Sequence, residues 1–134
     1  MKFEEIEILV KYRIEQAREA LDDAKYLIDG KRSSQSIVNR AYYAMFYAAL
    51  ALLQSISKTP SKHSGVISIF DKEFVMKGIF EKELSKDFHK AFEMRQKTDY
   101  QVIKPTTHDK ATELCYRADN FVNKVQDYLL YRKK

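Results

Sequence analysis

Residues 36–55 read SIVNRAYYAMFYAALALLQS, and thirteen consecutive residues of this stretch, Ala41 to Leu53, are hydrophobic. A transmembrane helix needs about 20 apolar residues, whereas a helical run of this length reaches only about 20 Å. The stretch is therefore too short to cross a bilayer, and it predicts a helix of a soluble protein.

The amino terminus, the net charge and the cysteine count indicate where the protein lies in the cell and which sites it can contain. The amino terminus, MKFEEIEILVKYR, lacks the basic start, apolar centre and small-residue cleavage site of a signal peptide, so we expect a cytoplasmic protein with no membrane contact. The net charge of +5 favours anionic partners without requiring them. The single cysteine, Cys115, excludes an internal disulfide and a cysteine-pair zinc site, and we predict that it is a core residue.

The spacing of apolar residues predicts an all-α fold. Three glycines and two prolines leave few turns, and no stretch alternates polar and apolar residues long enough for a strand. We predict an antiparallel four-helix bundle with an additional short helix, forming one domain over residues 1–134. The first helix should end at Gly30, and the second should be capped by Ser33 or Ser34 and end near Ser55. The third should cover 63–76 and stop at Gly78. The fourth should cover 80–98, and the fifth should be capped by Thr107.

The second helix divides into two faces at 100° per residue. The predicted core side contains Val38, Ala41, Tyr42, Met45, Ala48, Ala49 and Leu52. The other side carries Ser36, Asn39, Arg40, Tyr43, Tyr47 and Gln54, mixed with Leu50 and Ala51. Tyrosine buries its ring while its hydroxyl needs a polar partner, so this second stripe suits a subunit interface or a cleft. The alternative is that the rings cover the side of the bundle with their hydroxyls in water.

The fourth helix directs one arginine toward the core. Leu84, Phe88, Ala91 and Phe92 mark its inward side, and Arg95 projects to the middle of that side. A guanidinium group stays charged in a protein, so it must find polar partners or reach solvent through a cleft. Arg95 is either a structural residue, held by Asp99 or a tyrosine hydroxyl, or a functional one.

The opposite face of the fourth helix carries lysines at a regular spacing, namely Lys82, Lys86, Lys90 and Lys97. This stripe could follow phosphates along a nucleic acid, or it could be a solvated face. We expect Glu83 and Asp87 to form ordinary surface pairs with the lysines three residues further on.

The three histidines do not form a metal motif. His89 and Glu93 have a ligand-like helical spacing, but two groups do not make a metal site. Glycine-rich phosphate loops and nucleophile motifs do not occur in the sequence, and we predict neither a metal nor a cofactor. His63 differs from the others, because it lies with Lys62 and Ser64 at a predicted helix start, where backbone amides can receive an anion.

Three segments together resemble the HEPN domain, a small helical bundle associated with nucleotides and RNA. They are NRAYYAMFYAALALL on the second helix, KTPSKHSGVISIFDKEFV after it, and FEMRQKTDY at the end of the fourth helix. The resemblance implies a homodimer. It also implies a partner protein, a minimal nucleotidyltransferase, in a module of the toxin and antitoxin type.

Nuclease members of that family carry an arginine followed, after four to six residues, by a histidine, and the dimer joins two such motifs for metal-independent RNA cleavage. Arg95 matches the arginine, but Tyr100, Gln101 and Val102 occupy the histidine positions. A tyrosine with a pKa near 10 is a poor base at neutral pH, unlike a histidine with a pKa near 6.5. His63 or His108 could substitute only if the fold carries it to Arg95.

Three functional hypotheses follow. The first is a noncatalytic or weakly active dimeric module that binds a nucleotide or RNA and pairs with a nucleotidyltransferase. In this module Arg95 and Arg40 bind phosphate and tyrosine rings stack on bases. The second is a metal-independent RNA endonuclease with a relocated catalytic group, and the third is a purely structural interaction bundle. The predicted nucleotide or RNA site comprises Arg95, Arg40, Asn39, Tyr43, Tyr47, Asp99, Tyr100 and His63.

Overall fold

The computed structural model describes residues 2–100 and 106–132, except for the side chains of residues 98–100. Its helices are α1 (Phe3–Asp29), α2 (Ser34–Ser55), α3 (His63–Phe70), α4 (Lys82–Tyr100) and α5 (His108–Tyr131). A π-helical turn, Asp71–Val75, directly follows α3. The described residues contain no strand, so the all-α prediction is confirmed.

Two predicted helix starts have the expected side-chain caps. The Ser33 hydroxyl accepts a hydrogen bond from the Ser36 amide at 3.2 Å, and the Thr107 hydroxyl accepts one from the Lys110 amide at 3.2 Å. Each bond satisfies an amide that has no partner within its own helix, which stabilises the first turn.

The third predicted helix is correct in extent but not in type. We expected one continuous helix over 63–76, whereas the regular α-helix ends at Phe70 and the π-helical turn continues to Val75. The helical segment ends before Gly78, as predicted. Gly78 has a φ of +80°, a backbone conformation that favours glycine because glycine has no Cβ.

Helix α2 lies at the centre of the bundle. It packs against α1, α3, α4 and α5, and all seven residues of its predicted core side are buried. Because neighbours surround it, burial extends further than the sequence indicated. Gln54 and Ala51, which we placed on the outer stripe, are buried at 9% and 0% exposure, so the assignment of Gln54 to an outer polar stripe is wrong. Asn39, Arg40, Tyr43 and Tyr47 are half-buried.

The core is rich in aromatic rings contributed by several helices. Phe88 of α4 lies 5.2 Å from Phe121 of α5 and 5.6 Å from Phe70 of α3, measured between ring centroids. Tyr42 of α2 lies 6.3 Å from Phe88. Such offset and edge contacts add stability beyond the apolar area that they bury, and they join α2, α3, α4 and α5 in one core.

Polar contacts between α1 and α5 show that these two helices run in opposite directions. The partners follow in reverse order along the two helices: Glu7 pairs with Arg132, Arg18 with Gln126, and Lys25 with Asp119. None of the described helices is both long and apolar enough to cross a membrane.

One predicted surface pair is wrong. Asp87 is only 5% exposed, and its carboxylate accepts a hydrogen bond from Arg117 at 2.6 Å instead of pairing with Lys90. The helical spacing from Asp87 to Lys90 suggested a local pair, but α5 packs against this position and supplies a closer cation.

Candidate functional site

Two guanidinium groups lie against one tyrosine ring. Arg40 and Tyr43 come from α2, and Arg95 reaches across from α4. The Arg40 Cζ is 5.3 Å from the centroid of the Tyr43 ring, and the Arg95 Cζ is 5.2 Å from the same centroid. Both distances are within the range of cation–π attraction. The ring of Tyr43 therefore gathers two positive charges in one place.

Asn39 fixes the position of Arg40. Its side-chain oxygen accepts hydrogen bonds from the Arg40 Nε at 3.1 Å and from an Arg40 terminal nitrogen at 3.0 Å. Asn39 and Arg40 also line a shallow cleft of about 380 Å³ together with Leu27, Gln35 and Ser36. The sequence prediction placed Asn39 and Arg40 on one stripe, and the structure brings them into direct contact.

Arg95 contacts a second tyrosine as well. Its Cζ lies 5.4 Å from the ring centroid of Tyr42, which is fully buried. Arg95 itself is half-buried, so its guanidinium lies on the tyrosine-bearing side of α2 and not in bulk water. The sequence predicts Asp99 as one possible structural partner of Arg95, and the Asp99 side chain lies outside the described residues.

His63 joins this group from the start of α3. Its Nδ1 lies 2.9 Å from the Tyr42 hydroxyl, and its ring stacks on Phe46 with centroids 4.2 Å apart. The rings of His63 and Tyr43 also make an edge-to-face contact, with centroids 5.9 Å apart. The fold thus carries His63 to the same two tyrosines that Arg95 contacts. This contact meets the condition under which His63 could substitute for the missing motif histidine.

Burial and charge set the protonation states of His63 and Tyr42. Burial, and to a lesser extent the positive charge of Arg95, lower the pKa of His63 below its ordinary value of 6.5. Burial raises the pKa of the Tyr42 phenol well above its ordinary value of 10.0. At neutral pH the imidazole is therefore neutral and the phenol keeps its proton.

The hydrogen bond between Tyr42 and His63 has two possible directions. If the phenol donates to Nδ1, the proton of the neutral imidazole is on Nε2. If Nδ1–H donates to the phenol oxygen, Nε2 carries a lone pair and can accept a proton. Only the second arrangement gives His63 a basic nitrogen.

Of the remaining predicted site residues, one lies beside the cluster of arginines, tyrosines and His63, and others lie outside the part of the chain that the structure describes. The Tyr47 ring is half-buried and lies 5.7 Å from the Tyr43 ring, so Tyr47 belongs to the group. The side chain of Tyr100, and Gln101 and Val102 entirely, lie outside the described residues. His108 is exposed at the first residue of α5, and the ring contacts of the described residues place His63, not His108, among the tyrosines.

A second polar cluster lies at the end of α3 and involves Asp71, a residue for which the sequence predicted no role. One Asp71 oxygen accepts a hydrogen bond from Ser85 at 2.7 Å, and the other lies 2.6 Å from the His89 Nε2. His89 is thus engaged with Asp71, while Glu93 pairs with Lys97 at 2.8 Å. No group of three or more metal-ligating side chains occurs among residues 2–97 and 106–132. Ser85 and His89 are one helical turn apart on α4, but nothing in the sequence identified their common partner.

The lysine stripe of α4 is accessible. Lys82, Lys86, Lys90 and Lys97 are all exposed. Lys97 is paired with Glu93, and this bond lowers the pKa of the Glu93 carboxyl. The use of this stripe for phosphate contacts stays a prediction.

Comparison with known families gives one match over most of the chain. The model of the HEPN domain matches residues 10–128. This range includes Arg40, Tyr43, His63 and Arg95, which form the contacts described above.

Individual relatives of similar length are known from bacteria and archaea. A UPF0332 protein of Thermotoga maritima is 38% identical over 122 residues, covering 91% of this chain and 92% of the relative. A protein of Methanocaldococcus jannaschii named "Putative toxin MJ0605" is 38% identical over 126 residues, covering 94% and 90%. A second protein of that organism, named "Putative toxin MJ0142", is 33% identical over 117 residues, covering 87% and 79%.

Proposed function

Because this chain belongs to the HEPN domain family, we propose that it is a toxin-type HEPN module that binds a nucleotide or RNA in a groove between two copies of the chain. Two relatives whose names call them toxins support the toxin assignment. The observation that carries the binding proposal is the pair of guanidinium groups held against Tyr43 at 5.3 and 5.2 Å.

The chemistry of this pair suits a phosphate. A guanidinium group donates hydrogen bonds in its plane, so a tyrosine ring can support its face while its edge binds phosphate oxygens. Asn39 holds Arg40 through two hydrogen bonds, which reduces the conformational entropy that binding would cost. The half-buried rings of Tyr43 and Tyr47 offer surfaces on which bases can stack without sequence preference.

Two copies of the group would make a longer binding surface. Each chain contributes Arg40, Arg95, Tyr43 and Tyr47. A twofold axis beside α2 would place these residues of both chains along one strand of RNA. The family resemblance also supports a nucleotidyltransferase as a protein partner of the module.

Fluorescence anisotropy with a labelled single-stranded RNA tests the binding proposal. We expect Arg95→Ala to weaken binding about tenfold and to reduce the dependence of log affinity on log salt by about 0.7 for each lost phosphate contact. Lys124→Ala is the matched control, since it removes one exposed charge outside the site, where Lys124 lies 3.9 Å from Glu81. Equal affinities for the wild type and Arg95→Ala would overturn the proposal.

Sedimentation velocity with and without RNA tests the dimeric groove. The expected result is one RNA bound per two chains. A monomer that binds RNA with an affinity unaffected by protein concentration would contradict a groove between two copies. In that case the Arg95→Ala variant would still test the phosphate site.

The contact of His63 with the same tyrosines favours a second candidate function, metal-independent RNA cleavage. Neutral His63 would take the proton of a ribose 2′-hydroxyl through Nε2, and the 2′-oxygen would attack the adjacent phosphorus. The bond from phosphorus to the 5′-oxygen would break, leaving a 2′,3′-cyclic phosphate, and that oxygen would take a proton from water. The hydroxide left by that water would take the proton back from His63, which returns the imidazole to its neutral form. Arg95 would stabilise the negative charge that develops on the phosphate oxygens.

Incubation of labelled RNA with the protein in the presence of a chelator tests this second function. Cleavage by the wild type that is lost in His63→Asn, with RNA affinity retained, would support it. RNA that stays intact with the wild type, or cleavage that persists in His63→Asn, would exclude His63 as the base.

A further inference from the structure

A long groove runs between α1 and α5, and it is lined by none of the residues of the candidate site. Its volume is about 830 Å³. Its floor is apolar, formed by Val10, Ile14 and Leu129, and its edges carry two exposed apolar side chains, Ile8 at 69% and Leu130 at 58% exposure. Exposed apolar groups beside an apolar floor are typical of a binding surface.

The rim of this groove is acidic, although the chain as a whole is basic. Five acidic side chains line it, against two basic ones, Lys11 and Arg18; the acidic ones are Glu7, Glu15, Glu19, Asp22 and Asp23. Glu7 is paired with Arg132 at 2.7 Å, whereas the other four are exposed. Arg18 is engaged across the groove, where its Nε donates a hydrogen bond to Gln126 at 2.8 Å. A net charge of +5 for the chain makes this concentration of carboxylates a local feature.

We propose that the groove binds a basic amphipathic helix of a partner protein. The α1 residues that line it extend from Glu7 to Asp23, a distance of about 24 Å along the helix, which matches a partner helix of about 16 residues. Apolar side chains on one face of that helix would contact the floor, and lysines or arginines beside them would meet the acidic rim.

The charge of the rim also argues against a second copy in the groove. A twofold contact of groove against groove would bring the two acidic rims together, which is electrostatically unfavourable. The polar contacts of Glu7 with Arg132 and of Arg18 with Gln126 hold α1 and α5 at a fixed separation, so the groove is formed before a partner arrives.

A pair of synthetic peptides of about 16 residues tests the proposal. Both peptides carry leucine at the positions of one helical face. At all remaining positions, one peptide has lysine and the other has glutamate. We expect the wild-type protein to bind the lysine peptide at least about tenfold more tightly, as measured by fluorescence anisotropy. The double variant Glu15→Lys, Glu19→Lys should reverse this preference, whereas the control Glu83→Lys, Glu93→Lys, which changes two exposed carboxylates on α4, should keep it.

Two results would overturn the proposal. One is equal affinity of the wild type for both peptides, or a preference that the Glu15 and Glu19 changes leave intact. The other is a wild-type dimer that Ile8→Asp converts to a monomer in sedimentation velocity, since that would place a second copy in the groove. Arg95→Ala should not alter peptide binding, so failure of the RNA proposal and failure of this one are distinguishable.

Discussion

The Tyr42 hydroxyl and the His63 Nδ1 lie 2.9 Å apart, although 21 residues separate them in the sequence. Tyr42 is fully buried, and a buried hydroxyl needs a polar partner. The bond therefore ties the start of α3 to the middle of α2. Because Arg95 packs on the same Tyr42 ring, the stability of the bundle and the geometry of the candidate site depend on the same residue.

Tyr42→Phe should lower the free energy of unfolding by about 1 kcal/mol, because it removes the hydroxyl that pairs with His63 while keeping the ring. Urea denaturation followed by circular dichroism measures this change. Tyr116→Phe is the control, since Tyr116 is 69% exposed and its hydroxyl can bond to water. If both variants unfold with the same midpoint as the wild type, the Tyr42–His63 bond does not stabilise the protein.

The stability of the protein should fall on mild acidification because of His63. Its pKa in the folded state is below the ordinary value of 6.5, so the unfolded chain binds more protons as the pH falls through 6.5 toward the folded pKa. The groups that face it are Tyr42, Tyr43 and Arg95, so neither a carboxylate nor a second histidine is among these contacts.

Urea midpoints at pH 7.5 and pH 5.5 test this sign. The wild type should lose more stability between the two values than His63→Gln does, and His108→Gln, at the exposed start of α5, should behave as the wild type. A His63→Gln variant with undiminished acid sensitivity would assign the effect to other groups.

The sequence predicted those features that depend on neighbouring residues. The caps at Ser33 and Thr107 follow from local spacing, and the structure confirms them. The partners of Asp87 and of His63 could not be predicted, because Arg117 lies 30 residues away from the first and Tyr42 lies 21 residues away from the second. Gln54 was misplaced for the same reason, since its burial depends on the helices around α2.

Loss of Arg117 should destabilise the protein more than its partial exposure suggests. Asp87 is 5% exposed and accepts a hydrogen bond from Arg117, so Arg117→Ala leaves a buried carboxylate without this partner. We expect a loss of about 2 kcal/mol in the free energy of unfolding. Removing the other carboxylate near Arg117, by Glu113→Ala, should cost less than about 0.5 kcal/mol, because that pair is exposed.

A double-mutant cycle separates the pair from its surroundings. Asp87→Asn combined with Arg117→Ala should destabilise the protein by less than the sum of the two single changes, because the second change removes an interaction already lost. Strict additivity in urea denaturation would show that the two residues stabilise the fold independently.

The reactivity of Cys115 should report how tightly α5 packs on the core. Cys115 is 3% exposed, as predicted for the only cysteine of the chain, and burial raises the pKa of its thiol. A disulfide reagent such as Ellman's reagent reacts with the thiolate, so the native protein should react only when α5 opens.

Phe88→Leu tests this dependence because it reduces the packing against Phe121 of α5. A loss of about 1.4 kcal/mol in stability would raise the population of the open state, and with it the rate of thiol modification, about tenfold. Tyr116→Phe, at an exposed residue of α5, should keep the wild-type rate. A native thiol that reacts as fast as in urea would contradict the burial of this face of α5.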